Sequence, residues 1–161
     1  MKNAIAAAAI FTLTPVAQAQ DFQKVYNTLS AQANVAMKIS ACHATKDAII
    51  CETQGTRLSA NIIQAKLVRG VQLGLVAMSP DMPNAGDLYA LAGAYGILVL
   101  LTDQKLKGDA IPLMVSEMTK QAAETKKEVV LKANGHTYSL NIANLALLGF
   151  GKGYLLTYTA R

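Results

Sequence analysis

Leu88-Tyr89-Ala90-Leu91-Ala92-Gly93-Ala94-Tyr95-Gly96-Ile97-Leu98-Val99-Leu100-Leu101 is the stretch on which the fold turns. No face of it is polar, so whatever it forms is either wrapped by protein or immersed in lipid. Length decides between the two. About 14 residues of helix rise roughly 21 Å, short of the roughly 30 Å hydrocarbon core that a spanning helix crosses. The sequence therefore predicts a buried central helix over about 87–101 and no transmembrane span. Asp87 supplies its N-cap, Ala90, Gly93, Ala94 and Gly96 permit close backbone approach, and the hydroxyls of Tyr89 and Tyr95 need partners.

Upstream, residues 1–19 read as an address, with a buried N-terminal helix as the alternative. Met1-Lys2-Asn3 gives a positive start, residues 4–13 an apolar segment, and Ala17-Gln18-Ala19 a small-x-small cleavage site. Cleavage after Ala19 leaves Gln20 first, with no cysteine there for a lipid anchor. Residues 20–161 form the predicted single globular domain, and the expected location is periplasmic or secreted. Hydrophobic residues make up 52% of the chain and charged ones 16%, against a usual charged share of about a quarter. Such a chain is too apolar for disorder, and its surface is covered either largely by Gln, Asn, Thr, Ser and Ala or in part by a partner. Removing Lys2 from the 15 Lys and Arg leaves 14 against 10 acidic residues, a net charge of about +4. In an exported protein this favours acidic proteins or anionic envelope polymers as partners over nucleic acid.

Cys42 and Cys51 are read against that compartment as one disulfide. Continuous helix would hold their Cα atoms about 13.5 Å apart, whereas a disulfide needs less than about 7 Å. The chain must reverse between them, most simply at Thr45-Lys46-Asp47. Closing a loop of this size stabilises by about 2.5–3 kcal/mol in the chain-entropy picture.

Around the central helix, residues 21–41 carry Phe22, Val25, Tyr26, Leu29, Ala33, Ala36 and Met37 at helical spacing, and residues 57–78 carry Leu58, Ile62, Ile63, Leu67, Val71, Leu75 and Met78 likewise. Gly70 and Gly74 are read as a close-packing face of that second helix, each costing about 1 kcal/mol relative to alanine. The loop at 79–86, with Pro80 and Pro83, joins it to the central helix as an antiparallel pair. Residues 109–126 form a further helix with Ile111, Val115, Met118 and Ala122 inward and Pro112 in its first turn.

The period then changes. Residues 128–133 and 136–142 flank Asn134-Gly135, the strongest short hairpin signal, because both central residues of a type I′ turn need positive φ. Residues 143–161 read two ways, as further strands at 145–159 around Gly151-Lys152-Gly153 or as a helix broken by glycines; Tyr154, Thr157, Tyr158 and Thr159 favour strands. The predicted fold is α+β: a helical N-terminal two-thirds around the central helix, followed by a C-terminal antiparallel hairpin.

Chemistry is sparse. A metal site would need Cys42, His43, Cys51 and His136, in none of the spacings zinc sites use. No G-x-S-x-G surrounds a serine, and Gly149-Phe150-Gly151-Lys152-Gly153 lacks both the leading glycine and the trailing hydroxyl of a phosphate loop. The sequence thus predicts no catalytic residues, no metal and no cofactor. Lys120, Lys126, Lys127 and Lys132 form a basic neighbourhood, read either as a solvated face with favourable charge at a helix C-terminus or as a docking patch for an anionic partner. The expected function is a non-enzymatic exported binding protein of inhibitor, immunity or secretion-accessory type. Alternatives are a carrier of an apolar small molecule or lipid, with Met78, Met82, Met114 and Met118 lining an adaptable pocket, and an enzyme whose site brings His43 or His136 together with Asp, Glu or Ser.

Overall fold

A computed structural model describes residues 15–106 and 109–161; residues 1–14, which hold most of the predicted signal segment, lie outside the described residues. The elements run α1 (Pro15–Gln32), β1 (Lys38–Ala44), β2 (Ala48–Gln54), β3 (Ser59–Leu67), β4 (Gly70–Ser79), α2 (Ala85–Thr102), α3 (Ala110–Thr125), β5 (Val129–Ala133), β6 (His136–Asn144) and β7 (Tyr154–Ala160). All seven strands join one antiparallel sheet in the order β1-β2-β3-β4-β7-β6-β5. Two meanders meet in the middle: β1 to β4 run inward from one edge, α2 and α3 carry the chain across, and β5 to β7 run inward from the other.

This corrects the predicted helical N-terminal two-thirds, because residues 38–79 are almost wholly strand. The predicted helix at 57–78 is the β3–β4 hairpin. Its apolar residues satisfy a period of 2 as well as 3.6: Ala60, Ile62, Leu73, Leu75 and Ala77 are buried on one face, while Asn61 pairs with Val76 and Ile63 with Gly74 on the other. The chain turns at Val68-Arg69, where Leu67 pairs with Gly70. Gly70 takes φ +128°, and nothing lies within 4 Å of where its Cβ would be, so it serves the turn and not helix packing. Likewise the predicted helix at 21–41 stops at Gln32; Asn34 takes φ +53° and the chain leaves as β1.

Other expectations meet the structure more closely. Asn134 (φ +53°) and Gly135 (φ +84°) turn the β5–β6 hairpin. In α3 the buried side chains are Ile111, Val115, Met118 and Ala122, the 4-3-4 spacing that puts them on one stripe. Cys42 and Cys51 are cross-strand partners with Cα atoms 4.0 Å apart and are disulfide-bonded, the chain reversing at residues 45–47. That bond is compatible with an oxidising, exported location. The predicted cleavage point after Ala19 falls inside α1, where Ala19 is buried. Of the last segment, β7 is a strand, but residues 145–149 form turns and not the predicted strand.

Helices cover one face of the sheet: α1 lies against β1, α2 across β4 and β7, α3 across β5 and β6. The core is the layer between, where Tyr26, Ile62, Leu75, Leu98, Tyr138, Leu156 and Tyr158 are all fully buried. Among the described residues no helix lies on the opposite sheet face.

Candidate functional site

The geometry of α2 sets the site. By composition it is apolar throughout and is the one described helix long and apolar enough to cross a membrane, yet 44% of it is buried in the protein itself. Leu91, Ala94, Tyr95, Leu98 and Val99 go down onto the sheet, and the Tyr95 hydroxyl donates to the Thr159 carbonyl at 2.7 Å. Burial pushes the Tyr95 phenol well above its ordinary range, so it stays a neutral donor. A single sheet layer can cover only one side of a helix. The expected wrapping on all sides is therefore incomplete: Tyr89, Gly93, Gly96 and Leu100, at i, i+4, i+7 and i+11, form a stripe off the sheet that is only partly covered, and Tyr89 is 83% exposed.

Flanking elements turn the stripe into the floor of a trough of about 1060 Å³. One wall is the end of α1 with the chain leading into β1, namely Leu29, Ala33, Val35 and Ala36; the other is the α3 face carrying Ile111, Val115, Ser116, Thr119 and Lys120. Both walls stand close because the floor has glycines. A Cβ on Gly93 would meet Val35 Cγ2 at 3.1 Å, and one on Gly96 would meet Ile111 Cγ2 at 3.3 Å. Any side chain at either position would thus press on a wall.

Three charged residues line the trough, Arg57, Asp87 and Lys120. At the start of α2 the N-cap is Asn84, not Asp87 as the sequence suggests: the Asn84 carboxamide oxygen accepts from the Asp87 N–H at 2.8 Å, and Asp87 Oδ2 accepts from the Asn84 N–H at 3.1 Å. Arg57 Nε donates to the same Asp87 oxygen at 2.8 Å. Arg57, from the β2–β3 connection, carries no local signal for this role, since its partner lies 30 residues on. Lys120 is exposed on the other rim. Among the described residues Arg57–Asp87 is the ion pair of a Lys or Arg with a carboxylate, so Lys120 enters the trough's field without a carboxylate partner.

Lysines predicted as one patch are only partly gathered. Lys126 is the left-handed C-cap of α3 and Lys127 follows it, both exposed just beyond Lys120. Lys132 pairs with Thr137 in the register that faces away from the helices, so it sits on the opposite side of the sheet. No known family, curated protein or solved structure matches the chain. What the site can do is read from its own residues.

Catalytic and metal alternatives have little to work with. Both cysteines are in the disulfide. His43 lies on β1 and His136 on β6, with four strands between them in the sheet, a separation of about 24 Å. Among the described residues no group of three or more His, Cys, Asp or Glu could hold a metal ion. His43 Nε2 lies 3.9 Å from Glu52 Oε1, with both side chains more than half exposed, and His136 packs beside Tyr138 with ring centroids 6.4 Å apart.

The buried carboxylate of Asp103, just past α2, is a clamp. Asn134 Nδ2 donates to its Oδ2 at 2.9 Å, the Tyr138 hydroxyl at 3.2 Å, and the Lys105 N–H to Oδ1 at 2.9 Å. Chiefly through the Asn134 bond, Asp103 titrates below the ordinary carboxylate range. Burial, with that carboxylate adjoining, pushes Tyr138 up to about 12. These bonds tie the end of α2 to the β5–β6 turn and are spent on structure. The methionines expected to line a carrier pocket are elsewhere: Met118 is in the core, Met78 and Met82 are exposed, and none borders the trough.

Proposed function

We propose that the protein is a small, non-enzymatic binding protein, exported to an oxidising compartment, whose trough along α2 receives an amphipathic helix with acidic flanks from a partner protein. One observation carries this reading: an apolar trough of about 1060 Å³ whose floor is the partly covered stripe of the core helix. Small-molecule sites run to about 300–1,000 Å³ and enclose most of their ligand. This one is larger and open along its length, which from Tyr89 to Leu100 is about 17 Å, or three turns of an incoming helix. Exposed Tyr89 at one end is the residue type that anchors interfaces. Lys120 on the rim, Lys126 and Lys127 beyond it and the net charge of about +4 after cleavage favour acidic flanks on the occupant. The Met1-to-Ala19 pattern and the Cys42–Cys51 bond support export.

The test places a photo-crosslinking amino acid at Ser116, which lines the trough, and at Val68, on the exposed β3–β4 turn, in cells that export the protein. The expected result is a protein adduct from Ser116 alone, mapping to a helix with acidic flanks and lost when Ala92→Arg fills the floor. Lipid adducts at Ser116 would instead establish the carrier alternative, which the apolar lining also favours. Equal labelling from both positions would remove the trough as a site.

A further inference from the structure

The β6–β7 connection presents a second apolar surface, of opposite shape. In residues 145–153 the sequence is Leu-Ala-Leu-Leu-Gly-Phe-Gly-Lys-Gly, and three large side chains stand out in solvent: Leu147 82%, Leu148 55% and Phe150 78% exposed. Isolated exposed leucines need no explanation, but three within four residues at the tip of one loop do.

The loop is built to hold them there. Leu148 N–H donates to the Leu145 carbonyl at 3.1 Å, Gly149 N–H to Ala146 at 3.3 Å, Phe150 N–H to Leu145 at 2.9 Å, and Leu145 N–H to Gly153 at 2.9 Å. Asn144 Oδ1 takes the Ala146 N–H at 2.9 Å. Positive φ at Gly149 and Gly151 makes the compact turns possible. At the base, a Cβ on Gly153 would lie 2.7 Å from the Ser79 carbonyl, so the loop is anchored against the end of β4. Met78, opposite Leu155 in the ladder, is exposed beside that base.

We infer that this loop is a membrane-contact tip: Leu147, Leu148 and Phe150 enter the interfacial zone of an anionic bilayer while Lys152 remains at the headgroups. Three features select lipid over a protein partner. The large side chains of the tip stand out in solvent, as insertion into a bilayer needs. The N–H groups of Leu145, Ala146, Leu148, Gly149 and Phe150 are satisfied within the loop, as insertion into a region poor in water favours. Lys152, the one charged residue of the loop, suits an anionic surface. Nothing in this inference depends on what occupies the trough.

The chain has no tryptophan, so Phe150→Trp reports on the tip alone. The disulfide-bonded protein is mixed with vesicles of phosphatidylethanolamine and phosphatidylglycerol at about 3:1, and with phosphatidylcholine vesicles. On the anionic vesicles the Trp emission should shift to the blue and be quenched by brominated acyl chains. In co-sedimentation, Leu147→Ser/Leu148→Ser/Phe150→Ser should lose about a hundredfold in partitioning, and Lys152→Gln about fivefold on the anionic vesicles only. All three replaced side chains are exposed, so melting at the wild-type temperature is the control for folding; if the triple variant melts early, the Phe150→Trp emission decides. Partitioning of the folded triple variant equal to wild type overturns the inference. So does a Trp emission that ignores vesicles but shifts with protein concentration, which would make the tip a contact between two copies of this chain.

Discussion

Replacing Gly70 and Gly74 with alanine separates the helix that residues 57–78 suggest from the hairpin they form. In a helix each Gly→Ala change stabilises by about 1 kcal/mol, so both variants would melt higher than wild type. In the hairpin the two sites differ. Gly70 holds φ +128°, a region that side chains rarely adopt, and has nothing within 4 Å of its missing Cβ; its penalty is therefore pure backbone strain, about 1–3 kcal/mol. Gly74 has no such φ, and its Cβ would meet the Tyr158 carbonyl oxygen at 3.5 Å, an ordinary contact; Gly74→Ala should fall within about 1 kcal/mol of wild type, on the stable side if the unfolded-state term dominates. For a chain of this size about 1 kcal/mol shifts Tm by roughly 2–4 °C, so Gly70→Ala should melt about 2–12 °C lower. Urea unfolding of the disulfide-bonded protein, followed by circular dichroism, gives the free energies directly. If both alanines raise the midpoint, the hairpin is wrong.

Three further outcomes follow from the site and its supports. Asp87→Ala removes the capping box and an Arg57 acceptor together and should cost about 2–3 kcal/mol, against about 1 for Asn84→Ala and less than about 1 for Arg57→Ala, whose side chain is 54% exposed; equal losses at Arg57 and Asp87 in thermal melts would place the stabilisation in the ion pair instead of the cap. Cys42→Ser/Cys51→Ser should lower stability by about 2.5–3 kcal/mol, and reductant should then no longer affect the denaturation midpoint. Because the folded pKa of Asp103 is depressed, its contribution is complete above the unfolded carboxylate value of about 3.9 and is lost as pH falls through the lower folded value. Wild type should accordingly outlast Asp103→Asn near neutrality and converge with it in acid, as Tm measured against pH checks; a gap that does not change with pH would refute this.

Local chemistry was legible wherever a few neighbouring residues set the conformation. Asn134-Gly135 announced its turn because positive φ is an intrinsic preference of those two residues. Cys42 and Cys51 required a reversal between them, and α3 wrote its buried face at 4-3-4 spacing. The β3–β4 turn was illegible for a related reason. Its two tip residues are Val68 and Arg69, ordinary in any structure, and the residue with positive φ comes one place later, at Gly70. Without a turn signal, residues 57–78 satisfied a helical period and a strand period equally. Of the site, the apolar helix and its small residues could be seen, as could Lys120. Arg57 and the α1–β1 wall could not, because they meet α2 only through contacts distant in sequence.

The sequence by itself determined the disulfide, the Asn-Gly hairpin, the amphipathic α3 and the apolar character of α2, since each depends on the covalent chain and the intrinsic preferences of adjacent residues. Only the tertiary structure decided that residues 38–79 are four strands, because an ambiguous apolar pattern takes its period from the partners it pairs with. It also decided that α2 keeps one stripe only partly covered. Hydrophobicity states that a segment prefers to leave water, but how much of it does so depends on how many surfaces the rest of the chain brings against it, and here one sheet and two flanking helices leave the floor of the trough partly open.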